Sequence, residues 1–411
     1  MTTLGRYPIP SVTRLALAGA ILGVVPGLSQ NLLESSVPGG VVRIFNSDQA
    51  VLEMREPRTD LPCVVIPIKP YLGFDLRFHA GYEMTVPLKE LSGSEDLLSV
   101  LFRVRSGEDG PASYFSQKIR VPAIEEDAKG SALIQGVFDL GEGKYKVEWL
   151  VRDRAERVCS DYWEAEATLP PKDKDLRLEL PPASIQAAER EPFREEPPIT
   201  RIDDRPLNVK VMVNFAPQNP RAATLQPLDT NALISILRNI AREPRIGKFS
   251  LVAFNMQEQR VVYRQEAADQ IDFPSLGDAI DSLKLGVVDY KRLSQKNSET
   301  DFLTGLITNE MATEDHPDAL IFAGPKVMLD QRVPQDSLRE VGNLEYPVFY
   351  MNYNYNPISN PWRDAIGNAV KFFKGQEYTI SRPRDLWYAW TEIMSRIVRL
   401  KIGRTATASA Q

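Results

Sequence analysis

The sequence predicts two domains in series, an all-β sandwich and then an α/β domain built on a mostly parallel sheet. Three observations carry this. Residues 41–168 hold many short alternating or β-branched runs separated by Gly, Pro, Asp and Ser, a spacing that suits a sandwich. Residues 169–206 break that pattern with eight prolines and mixed charge. From residue 207 to 400, apolar strand-like runs alternate with amphipathic helical segments, which implies right-handed crossovers and a doubly wound sheet covered on both faces. The 411 residues suit two or three domains of roughly 100–200 residues each.

Before these domains, Arg6 and Arg14 precede an apolar run from Leu15 to Val25, and the small residues Gly27 and Ser29 stand just ahead of Gln30. That order is expected of a cleavable signal peptide over residues 1–29. The run is short for the roughly 30 Å of a bilayer core. No cysteine follows it to carry a lipid, and no other stretch approaches spanning length. The expectation is an exported protein, periplasmic or extracellular, with no integral membrane span in its mature form. Export would let Cys63 and Cys159 pair. The sequence leaves a disulfide and two buried thiols as equal readings.

The strands of residues 41–168 are read from runs such as VVRIF, CVVIPI, YEMTVPL, SVLFRVR, YKVEWLVRD and DYWEAEATL. His79 alternates with Phe78 and is expected on a strand surface. In Gly141-Glu142-Gly143-Lys144-Tyr145-Lys146-Val147 a glycine turn feeds a Tyr-x-Val strand. This resembles the tyrosine corner of immunoglobulin-like domains, which implies an Ig-like sandwich in which the tyrosine hydroxyl bonds back to the backbone. The Pro- and charge-rich stretch 169–206, with EREPFREEPP at its centre, is expected to be a stiff spacer between domains.

In the second domain, VKVMVNF (209–215) reads as a strand buried on both faces. Asp229 or Thr230 can cap the helix that follows, whose Leu233, Ile236, Leu237 and Ile240 share one face. FSLVAFN (249–255) and RVVYR (260–264) are strands, and Phe273–Leu285 is a helix with Pro274 in its first turn. Residues 301–311 form a further helix, ALIFA (319–323) and PVFYMN (347–352) further strands. A helix over 361–373, a short strand at 378–380 and an amphipathic helix over 384–399 complete the domain; residues 401–411 are expected to be a flexible tail.

This element order resembles the von Willebrand factor A domain, in particular the related domains of secreted bacterial proteins. The resemblance implies a metal-ion-dependent adhesion site, in which an Asp-x-Ser-x-Ser motif after the first strand, a later Thr and an Asp after the fourth strand supply oxygens to a divalent cation. The matching positions here are Asn214, Ala216, Gln218, Thr300 and Ala323. Two carboxylates of the family's site are missing, so a degenerate, metal-free site is expected, without a cofactor.

Composition narrows the function further. A net charge of −6 argues against a nucleic-acid partner. With only His79 and His316, a histidine-based triad or multi-histidine metal site has little to draw on. Gly141-Glu142-Gly143 precedes no helix, and no Gly-x-Ser-x-Gly elbow occurs. The candidates for recognition are the loop residues Tyr353, Asn354 and Tyr355, together with Lys326, all just beyond predicted parallel strands. The expectation is non-catalytic binding of a protein or another cell-envelope component. The alternatives are an envelope hydrolase using unidentified carboxylates, or a structural spacer in an envelope assembly.

Overall fold

The computed structural model describes residues 31–33, 44–107, 110–189, 191–201, 206–219, 221–286, 297–312, 317–329 and 331–408. The expected signal peptide and His316 lie outside them. The chain divides into two compact units. The first comprises the chain up to Tyr71, His79–Ala167 and Pro182–Ala188; the second comprises Leu72–Phe78, Thr168–Pro181 and the chain from Glu189 onward. The whole is mixed α/β and rich in sheet.

In the first unit, β1 (Asn31–Leu33), β4 (Asp96–Ser106), β5 (Ala112–Val121), β7 (Gly143–Arg152) and β8 (Val158–Ala167) form an antiparallel sheet in the order β1-β5-β4-β7-β8. A second sheet runs β2 (Val64–Leu72), β3 (Phe78–Pro87), β6 (Ser131–Leu140), β9 (Ile185–Ala187) in spatial order. Alternation along each strand sends one set of side chains inward. Rings from the two sheets then meet: Tyr82 of β3 lies 5.1 Å from Trp149 of β7, and Phe138 of β6 lies 5.4 Å from Phe102 of β4. All four are fully buried, so the sheets stack as a sandwich around an aromatic core. At one corner the Tyr145 hydroxyl donates to the carbonyls of Gly141 (2.8 Å) and Ser184 (3.1 Å). Cys63 and Cys159 are joined in a disulfide across 96 residues, tying the approach to β2 to strand β8. A helix that strand periodicity did not predict, α1 (Asn46–Met54), buries Val51 and Leu52 against Leu101 and Leu150 on the outer face of the five-stranded sheet.

The second unit is built on six strands, β10 (Leu207–Asn214), β11 (Ile246–Asn255), β12 (Arg260–Ala268), β13 (Ala319–Pro325), β14 (Val348–Tyr353) and β15 (Gln376–Ile380). Their order is β12-β11-β10-β13-β14-β15, with β12 antiparallel to β11 and every other pair parallel. Apolar clusters form on both faces. One gathers Val211 of β10 with α2 (Pro227–Ala241), α3 (Phe273–Asp281) and α7 (Pro383–Ala408); the other gathers Met212 with α4 (Ser298–Met311), α5 (Gln335–Glu340) and α6 (Ala365–Phe372). The near-continuous apolar character of β10 follows from this double burial. Lys210 breaks the run. It is buried, and Glu310 of α4 meets its Nζ at 2.9 Å.

Several boundaries differ from expectation, the helix read over 273–285 ending at Asp281 and that over 361–373 starting at Ala365. The spacer of residues 169–206 is divided between the units, and 182–188 adds β9 to the first. Within the second unit the acidic residues of this stretch find arginines of α2: Glu189 pairs with Arg238 at 2.6 Å and Glu196 with Arg242 at 2.6 Å. Charge that reads as solvated in sequence is thus neutralised by tertiary contact. The N-cap of α2 is Gln226, with Pro227 at its first position, rather than Asp229 or Thr230; Asp229 stands at the third helical position, and its Oδ2 accepts the Gln226 N–H at 3.4 Å. Helix α7 continues to Ala408, into the expected tail.

Candidate functional site: the carboxyl edge of the six-stranded sheet

Strands β10, β13 and β14 are parallel, so the segments leaving their C-terminal ends share one edge of the sheet. The strand sequence reverses direction between β10 and β13, the position where open α/β sheets form ligand crevices. Every residue named in the sequence as a metal-site or recognition candidate in this unit, apart from Thr300, belongs to these strand ends and loops.

The positions matching the adhesion-site motif do not form a cation shell. Asn214 is buried, and its Oδ1 accepts the Met256 N–H at 3.2 Å. Its side chain thereby extends the β10–β11 ladder, where the next bond is Phe215 N–H to the Phe254 carbonyl at 2.8 Å. Ala216 and Ala323 offer no side-chain donor atom. Gln218 Nε2 donates to the Tyr353 carbonyl at 3.5 Å. Thr300 lies buried in the first turn of α4 rather than in a loop. Gly324, at φ 145°, brings its backbone against Asn214; a Cβ there would stand 2.8 Å from the Asn214 Cβ. The donor set does not fit a divalent cation, which needs several convergent oxygens with net negative charge.

Two carboxylates near this edge, Asp229 and Asp364, are already engaged. Asp229 Oδ1 accepts the Tyr353 hydroxyl at 2.8 Å. Burial and the nearby Asp229 charge raise the Tyr353 pKa, so the hydroxyl keeps its proton and donates. Asp364 caps α6 through the Gly367 N–H (2.8 Å), and its Oδ2 accepts the Val327 N–H (2.7 Å) and the Tyr350 hydroxyl (2.9 Å). Desolvation nevertheless pushes the Asp364 pKa up to about 6. With 1% exposure, this acid serves as a cap and a loop anchor.

The recognition candidates separate. Tyr353 and Asn354, expected on a partner-facing loop, are both buried. Strand β14 extends to Tyr353, and alternation turns that ring into the core that holds Met351. Asn354 Nδ2 donates to the Asn360 carbonyl at 3.2 Å. Tyr355 is half-buried, its hydroxyl on the Leu228 carbonyl at 2.7 Å. Lys326 Nζ donates to the carbonyls of Asn360 (3.0 Å) and Trp362 (2.7 Å). These residues act as stitches, joining the loops after β10, β13 and β14 into one rim.

What that rim presents is apolar. Leu228 is 52% exposed, Met328 53%, Ile358 90% and Trp362 72%. Sequence reading passed over Ile358 and the exposure of Trp362. The signal was present in Asn356-Pro357-Ile358-Ser359-Asn360-Pro361-Trp362, where two prolines and two asparagines exclude regular structure and leave large apolar residues without a face to bury. In the first unit, His79 makes more of its strand position than expected, since its Nδ1 lies 2.8 Å from Oδ1 of the fully buried Asp139.

No family model matches the chain, and no curated protein matches it either. Among solved structures, it is similar to the Pseudomonas fluorescens alkylpurine DNA glycosylase AlkC bound to abasic-site DNA, at 17% identity over 26% of this chain and 29% of that one, TM-score 0.17. A Bacteroides uniformis β-glucuronidase is similar at 9% identity over 76% of this chain and 38% of that one, TM-score 0.19. A Paenibacillus cycloisomaltooligosaccharide glucanotransferase is similar at 8% identity over 70% of this chain and 44% of that one, TM-score 0.18. The chain thus covers well under two thirds of each. Likeness at this level assigns neither fold nor activity. No helix among the described residues is long and apolar enough to cross a membrane.

Proposed function

We propose that this is an exported, non-catalytic binding protein that recognises a protein or cell-envelope component through the carboxyl-edge rim of a metal-independent, A-type domain, carried beside an Ig-like sandwich. The observation that carries the reading is the rim itself: Leu228, Met328, Ile358 and Trp362 stand exposed on loops held together by Tyr355 and Lys326. Exposed apolar side chains on a preorganised frame suit protein recognition, because little ordering entropy is lost on binding. The sheet order, with the unit's first strand central and its third antiparallel at the edge, supports the A-type reading. The Tyr145 corner between stacked antiparallel sheets supports the Ig-like one, and the disulfide supports an oxidising compartment.

The test is capture from a native envelope extract with the mature protein as bait. Trp362→Ala with Ile358→Ser should lose the captured partner while leaving the thermal midpoint within about a degree, because neither side chain is in the core. Capture and midpoint should both be indifferent to millimolar magnesium and to chelator. Retention of the partner by the double variant would remove the rim from the reading, and a magnesium-dependent rise in midpoint would reinstate a cation site.

A further inference from the structure

A charged cluster lies in the first unit, on the outer face of the five-stranded sheet. Glu148 of β7 is 2% exposed and is met by three guanidinium groups. Arg103 Nε donates to its Oε2 at 2.7 Å, Arg105 Nη2 donates to its Oε1, and Arg55 Nη2 lies 3.2 Å from the same Oε1. Arg103 and Arg105 alternate along β4, with Glu148 and Lys146 as their register partners on β7. All four side chains therefore share one face of the sheet. Glu164 stands opposite Lys146 on β8, but no other carboxylate among the described residues pairs with the three arginines.

The charges do not balance. Three guanidinium groups share one carboxylate, and Arg103 is itself buried. Arg105 Nε is buried with no hydrogen-bond partner. Arg55 reaches the cluster from the C-cap of α1 at φ 53°, a conformation disfavoured for a residue with a Cβ. With Arg103 held on Glu148, the surplus positive charge falls on Arg55 and Arg105, where a further anion would neutralise it. The Arg55 side chain is 45% exposed and that of Arg105 21%, so the cluster is open to solvent on their side.

We propose that Arg55 and Arg105, backed by Arg103 and Glu148, form a binding site for an oxyanion, a phosphate, sulfate or carboxylate group carried by a ligand. Guanidinium forks match such groups in a bidentate manner. The test compares the thermal midpoint of the mature protein in phosphate, sulfate and acetate with that in chloride, each at about 20 mM and equal ionic strength, since a ligand that binds only the folded state raises the midpoint. At least one oxyanion should raise it by several degrees over chloride, and the ranking of the three separates tetrahedral from planar ligands. Arg55→Ala, an exposed position whose loss leaves Arg103 and Arg105 on Glu148, should abolish the rise, whereas Lys144→Ala should keep it. Glu148→Gln removes the competing carboxylate and should enlarge it. Equal midpoints in all the salts, or an undiminished rise in Arg55→Ala, would overturn the proposal.

Discussion

Asp364 shows how one buried acid can hold a loop, a helix and a pH dependence at once. Its carboxylate receives the Val327, Gly367 and Tyr350 donors, yet desolvation prevails over them and lifts its pKa from 3.8 to about 6. A carboxyl whose folded pKa is raised favours the folded state when protonated. Its contribution is therefore greatest below pH 4 and declines as pH rises from about 4 to about 6. A shift of about two units corresponds to about 3 kcal/mol. Urea unfolding of the wild type and Asp364→Asn at pH 4 and pH 7 should show this: the variant should lose the decline, so that the difference between the two proteins changes by about 2–3 kcal/mol. An unchanged difference would place the Asp364 pKa near its ordinary value.

Strand β10 and helix α4 illustrate an element-scale dependence that no single segment displays. Lys210 sits in the middle of a buried strand, and Glu310 supplies its partner from α4, with Arg264 of β12 on the other oxygen. Burial works against the Glu310 charge, but hydrogen bonds from Arg264 and Lys210 win and hold its pKa below the ordinary value. Truncation in Glu310→Ala removes the carboxylate from buried Lys210 and leaves its Nζ on the uncharged Glu310 carbonyl at 2.9 Å, and a cost of about 3–5 kcal/mol is expected in denaturant unfolding. The sign with pH is opposite to that of Asp364: the stability Glu310 contributes is present above its unfolded pKa and disappears as pH falls through the lower folded value. A loss under about 1 kcal/mol would show that solvent reaches Lys210. The same scale explains why the rim was only partly legible. The end of β14 was readable from its apolar run, but one further residue of strand decides that Tyr353 faces the core, with Tyr355 packed against its margin and Trp362 left exposed.

At the scale of the molecule, the disulfide and the two cores set what can be lost independently. Cys63 and Cys159 close a span of 96 residues within the first unit. Loop entropy values such a closure at about 4–5 kcal/mol, and measured losses from small domains run about 2–5 kcal/mol. Cys63→Ser with Cys159→Ser should lower stability by an amount in that range. Hydrogen exchange should report faster amide exchange in β2 and β8, while β10, β13 and β14, in a separate core, keep their protection. Equal acceleration in both sets of strands would mean that the units unfold as one.

The sequence by itself determined the elements whose signal is local. Alternating and β-branched runs specified the sandwich strands, and apolar runs alternating with amphipathic segments specified the doubly covered sheet. The glycine turn before Tyr145 marked a corner whose bond to Gly141 spans four residues. Tertiary structure decided whatever depends on partners distant in the chain. The acidic stretch around Glu189 and Glu196 reads as a solvated spacer until Arg238 and Arg242 arrive from a helix more than forty residues later. Cys63 and Cys159 acquire their relation only through the stacking of two sheets. Asn214, Tyr353 and Lys326 look like ligands or contact residues in the sequence and become hydrogen-bonded struts in the fold. Periodicity records which face of an element is apolar, whereas burial and charge pairing depend on what is folded against that face.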